Sequence, residues 1–81
     1  MTDTSKLLLY MKPTCPYCRR VQGYMKESGI KLAEVDITAQ PEARDELVRV
    51  GGKAQVPCLL IDGEPMYESE DIIQFLAAEV A

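Results

Sequence analysis

The spacing of apolar residues changes at one place in the chain, and two cysteines stand at the change. Leu7-Leu8-Leu9-Tyr10-Met11 is an unbroken apolar run of strand length. From Pro16 onward the apolar residues recur at steps of three and four, at Cys18, Val21 and Met25, which is the period of one helix face. Between the two lies Lys12-Pro13-Thr14-Cys15-Pro16-Tyr17-Cys18. A chain with this switch turns a strand directly into a helix, expected over residues 16–28. Pro16 suits the first helical turn because its missing N–H would be unpaired there, and Gly29 is a natural stop.

The switch separates the two thiols by role. Cys18 shares a face with Val21 and Met25, so it should point into the core. Cys15 falls at or just before the first helical residue, where unpaired N–H groups and the helix macrodipole favour negative charge. Lys12 and Arg19 add positive charge close by in sequence. Such surroundings lower a cysteine pKa from ~8.5 to between roughly 3.5 and 7.5, and the thiolate is the reactive form. Cys15 is the candidate nucleophile and Cys18 the candidate resolving thiol. Two other readings compete: half of a zinc site, or two inert thiols. Zinc takes four ligands, and the chain has no histidine and only Cys58 as a further cysteine, so no metal is expected.

The rest of the chain supplies the frame. Residues 1–5 read as a frayed start. Strand one covers residues 7–11, and residues 32–37 read as strand two. A helix between two apolar runs makes a βαβ unit, with parallel strands and a right-handed crossover. A second helix, residues 41–50, has Ala43, Leu47 and Val50 on its inner face and ends at Gly51-Gly52. Residues 56–61 read as strand three. Asp62-Gly63 is a hairpin signal, and residues 65–68 make a short edge strand, where Pro65 is tolerated. Ser69 reads as the N-cap of a last helix whose face is Ile72, Ile73, Leu76 and Val80, with Glu70 and Asp71 complementing its N-terminus. The expected fold is α/β and thioredoxin-like: a four-stranded mixed sheet flanked by three helices, in one domain over residues 1–81.

Charge and compartment narrow the function. The net charge is −4, which argues against a general nucleic-acid binder. The acidic residues concentrate after Ala33, whereas Lys12, Arg19 and Arg20 cluster round the cysteines. The start is polar, and the apolar run after it is too short for a leader peptide or a membrane span. With three cysteines, an odd number, this points to a reducing cytoplasmic compartment, where thiols are chemical groups rather than staples.

These features together resemble the glutaredoxins over nearly the whole chain. The resemblance rests on Lys12 ahead of Cys15-Pro16-Tyr17-Cys18, on Gln55-Val56-Pro57, and on Ser69-Glu70-Asp71 opening the last helix. It implies a glutathione-dependent thiol–disulfide oxidoreductase that reduces protein disulfides and glutathione mixed disulfides, with Cys15 and Cys18 as its redox pair. It implies a cis Pro57 beside the disulfide, Val56 pairing its backbone with the glutathione cysteine, Lys12 facing the glycine carboxylate, and Tyr17 lining the groove. Ser69 and Glu70 would offer N–H groups to the γ-glutamyl carboxylate, and Asp71 would take the ammonium. Glutathione is the expected co-substrate, disulfide-bearing or glutathionylated proteins the partners, and a monomer the expected state. Without the resemblance, Pro57 reads as a trans proline opening a strand, and Ser69, Glu70 and Asp71 read only as helix-terminal residues.

The chain departs from the family pattern in places. Gln55 stands where threonine is usual, and Tyr67-Glu68 where many members have two glycines. Glu68-Ser69 is similar to the glutathione-binding pair of glutathione S-transferase N-terminal domains, but no second domain is expected here. Cys58, directly after Pro57, reads as a small buried apolar residue or as a third reactive thiol. Two rival functions remain: a glutathione-ligated iron–sulfur cluster module, against which Pro16 argues, and a relative reduced by thioredoxin reductase, against which Lys12 and Asp71 argue.

Overall fold

Strand β1 (Leu7–Met11) lies inside a four-stranded sheet of order β2-β1-β3-β4 in a computed structural model that describes residues 4–80. It pairs in parallel with β2 (Ala33–Asp36) and antiparallel with β3 (Cys58–Ile61), and β4 (Glu64–Met66) closes the far edge antiparallel to β3. Helices α1 (Pro16–Ser28) and α2 (Pro41–Gly51) connect strands, and α3 (Ser69–Glu79) follows β4. The fold is the mixed sheet with three helices that the apolar pattern predicts.

Alternation along the strands divides the core in two, because successive side chains point to opposite faces. Leu7, Leu9 and Met11 of β1 and Leu59 of β3 pack with Cys18, Val21 and Met25 of α1 and Ile72 and Leu76 of α3. Tyr10, Cys58 and Leu60 face the other way, onto Ala43 and Leu47 of α2. The buried apolar side chains are worth roughly 1.5–3 kcal/mol each relative to exposure, so each face is held mainly by this packing.

Local chemistry sets the ends. Gly29 adopts φ 70, and the chain closes α1 with N–H bonds from Gly29 to the Lys26 carbonyl and from Ile30 to the Met25 carbonyl, at 3.4 and 2.9 Å. Asp62 and Gly63 both have positive φ, 51 and 87, as a two-residue hairpin requires.

Several boundaries differ from expectation. The first three residues of the expected frayed start lie outside the described residues, and Thr4–Lys6 form a short 3-10 turn leading into β1. Strand β2 is shorter by one residue at each end, and α2 runs one residue further, to Gly51. Strand β3 starts at Cys58 because the ladder to β1 ends at the Tyr10–Cys58 pair, and Pro57 has no N–H to extend it. Strand β4 starts at Glu64, since the tight turn pairs Ile61 with Glu64 at once, and Tyr67 and Glu68 have left the ladder. Ser69 is not the N-cap. Glu68 holds that position without a side-chain cap bond, and Ser69 is the first helical residue, buried beside the groove described below.

Candidate functional site

The site begins where β1 hands over to α1. Cys15 is the N-cap of α1, with extended backbone, and its carbonyl takes the first helical bond from Arg19 N–H at 3.1 Å. Its sulfur accepts the Cys18 N–H at 3.4 Å, as an N-cap side chain accepts from the first turn. The thiol also faces the Val56 carbonyl oxygen at 3.9 Å. Cys15, Cys18 and Cys58 are all free thiols in this structure.

The two neighbouring thiols are pushed apart in acidity. Burial raises the Cys15 thiol, but the Cys18 N–H and thiol, the Tyr17 N–H and the Lys12 charge together bring it below the ordinary value. Cys18 is fully buried, and that burial, with the Cys15 sulfur beside it, pushes its thiol up to about 12. The arrangement therefore makes Cys15 the more readily ionised of the two thiols and holds the proton on Cys18. Arg19 is engaged by the loop: its Nε donates to the Pro13 carbonyl at 3.1 Å.

A groove of about 280 Å3 is lined in part by Val56, the residue whose carbonyl faces the Cys15 sulfur. Tyr17, Val56, Pro57 and Ser69 line it, and the Val56–Pro57 peptide bond is cis. Tyr17 is 63% exposed, so one face of its ring is open to whatever occupies the groove. Gln55, Tyr67 and Glu68 complete the lining. The glutaredoxin resemblance assigns none of these three a contact with glutathione, although Gln55 lies in the Gln55-Val56-Pro57 motif and Glu68 in the transferase-like Glu68-Ser69 pair. Their common signal was being neighbours of Val56 and Ser69.

Neither cysteine is among the lining residues, and three of the candidate glutathione-binding residues also stand apart from them. Lys12 acts on both thiols through its charge. Glu70 gives its carboxylate to Arg20 of α1, an exposed ion pair that ties the start of α3 to α1. Asp71 is exposed on the first turn of α3. Among the described residues no group of three or more His, Cys, Asp or Glu side chains converges as a metal site, and no helix is long and apolar enough to cross a membrane.

Comparison with known proteins gives a consistent match. A family model described as Glutaredoxin matches residues 7–66. Glutaredoxin 3 of Escherichia coli K12 is 30% identical over 64 residues, covering 79% of this chain and 77% of that protein. Glutaredoxin-1 of Homo sapiens is 36% identical over 74 residues, covering 84% of this chain and 70% of that one. Among solved structures, glutathione transferase Omega 3C from Trametes versicolor superposes with a TM-score of 0.77 at 27% identity, over 91% of this chain and 33% of the transferase.

Proposed function

The chain belongs to the glutaredoxin family of thiol–disulfide oxidoreductases, and from that membership we propose that it takes its electrons from glutathione and reduces glutathione mixed disulfides and protein disulfides through Cys15 and Cys18. The observation that carries the reading is the split between the two thiols: a more readily ionised Cys15 at the N-cap of α1, a protonated Cys18 behind it, and a groove lined in part by Val56, whose carbonyl faces the Cys15 sulfur.

In the first route the Cys15 thiolate attacks the glutathione sulfur of a mixed disulfide. The old S–S bond breaks, the substrate leaves as a thiolate, and Cys15 is left bonded to glutathione. A second glutathione thiolate attacks that glutathione sulfur, forming glutathione disulfide and returning the Cys15 thiolate. For a protein disulfide, Cys15 attacks one sulfur and a mixed disulfide forms. Cys18 then attacks the Cys15 sulfur, its proton passing to the departing substrate thiolate, and two glutathiones reduce the Cys15–Cys18 disulfide.

The groove suits an extended peptide with a carboxylate at each end. Val56 would pair its backbone with the glutathione cysteine, Pro57 and Tyr17 would flank the disulfide, and Lys12 would meet the glycine carboxylate. The N–H groups of Ser69 and Glu70 would take the γ-glutamyl carboxylate, and Asp71 the ammonium. Glu70 would act through its backbone, since its side chain is engaged by Arg20.

Reduction of a small glutathione mixed disulfide, with glutathione and glutathione reductase supplying electrons, tests the proposal. Turnover lost in Cys15→Ser is expected. No turnover, with thioredoxin reductase instead reducing the Cys15–Cys18 disulfide, would overturn the glutathione assignment.

A further inference from the structure

Tyr67 lies between the groove and the third thiol. On one side it lines the groove. On the other it packs against the core face that holds Cys58. The register explains the contact: Leu59 pairs with Met66, so the next residue of β4's continuation stands opposite Cys58. Cys58 has no exposed surface, and burial pushes its thiol up, with the Tyr67 hydroxyl opposing that rise in part.

The ring is held from three directions. Its hydroxyl donates to the Lys53 carbonyl at 3.1 Å. The Lys53 ammonium sits 4.5 Å from the ring centroid, as a cation–π pair. The ring tip rests over Gly51, where any Cβ would collide with the hydroxyl. Glycine at the end of α2 therefore makes room for this tyrosine.

We propose that Tyr67 is a positioning residue that seals Cys58 off from the groove, so that a disulfide held there can exchange with Cys15 and Cys18 but not with Cys58. The sheet assists, since Cys58 faces α2 while Cys15 and Cys18 belong to the opposite core face. With the seal open, a Cys58 thiolate would attack a disulfide in the groove, forming a protein mixed disulfide and expelling one thiolate. The sealing holds whichever donor reduces the Cys15–Cys18 pair.

The test is alkylation of the reduced, folded full chain by iodoacetamide, read separately at each cysteine by peptide mass spectrometry. The thiolate sulfur displaces iodide, so the rate at a buried site reports how often that site opens. In the native chain Cys58 should label slowly. In Tyr67→Ala it should label at least about tenfold faster while Cys18, equally buried, keeps its rate. Tyr67→Phe keeps the ring and should stay within about threefold of the native rate. If Tyr67→Ala does not fold, Gly51→Ala displaces the hydroxyl from the other side and should accelerate Cys58 alone. Rapid labelling of Cys58 in the native chain, no acceleration in the variant, Tyr67→Phe as fast as Tyr67→Ala, or Cys58 and Cys18 accelerating together would each overturn the assignment.

Discussion

The backbone N–H of Cys18 points at the sulfur of Cys15 across 3.4 Å, so the residue that holds its own proton helps its partner lose one. The acidity gap is built from one helix turn: Cys15 caps the end, and Cys18 faces inward three residues later.

That gap should be visible by titration. Thiolate absorbance of the reduced protein should show one cysteine ionising more readily than a free thiol, and Cys15→Ser should remove that step. Alkylation at pH 7 should fall almost entirely on Cys15. A first ionisation that persists in Cys15→Ser would contradict the split.

Alkaline pH should destabilise the reduced protein through its buried thiols. Cys18 is raised to about 12, so above ~8.5 the unfolded chain loses that proton while the folded chain keeps it. Each pH unit in that window costs about 1.4 kcal/mol for one such group. Cys58, raised mainly by burial, acts in the same direction. Cys15 acts oppositely: its lowered value adds stability as pH rises toward ~8.5, and that gain then stays constant. Urea unfolding at pH 7 and pH 10 should show the loss, with a shallower slope in Cys18→Ala. An equal slope in the two proteins would mean that Cys18 ionises freely in the fold.

Removing Cys18, the proposed resolving thiol, should separate the two reactions. In Cys18→Ser, reduction of a glutathione mixed disulfide should stay within about twofold, whereas reduction of a protein disulfide should fall at least about tenfold. Equal loss of both activities would sink the division of roles.

Two nearby cations should behave differently. Lys12→Gln should move the Cys15 titration upward, because the Lys12 charge helps lower it. It should also raise the KM for glutathione roughly fivefold, the equivalent of about 1 kcal/mol. Arg20→Gln removes an exposed pair with Glu70, so stability should drop by at most about 1 kcal/mol, fading with added salt, while the Cys15 titration stays in place. If Arg20→Gln moves the Cys15 titration as far as Lys12→Gln does, the field at the sulfur is a diffuse surface effect.

The sequence by itself determined the elements that local rules govern. The apolar run at Leu7–Met11, the three-and-four spacing from Cys18, the helix stop at Gly29 and the hairpin at Asp62-Gly63 all act over a few residues, and each is found where expected. The inward placement of Cys18 follows from the same periodicity. Only the tertiary structure decided the groove, because Tyr17, Gln55–Pro57 and Tyr67–Ser69 come from three distant segments brought together by sheet register and helix packing. It decided that Ser69 is buried one step inside α3 instead of capping it, and that Arg20 claims the Glu70 carboxylate across 50 residues of sequence. It also placed Cys58 on the α2 face behind Tyr67, where strand alternation and the β3–β4 register hold it away from Cys15. Periodicity tells a residue which way to face; what it meets there depends on how the elements pair and pack.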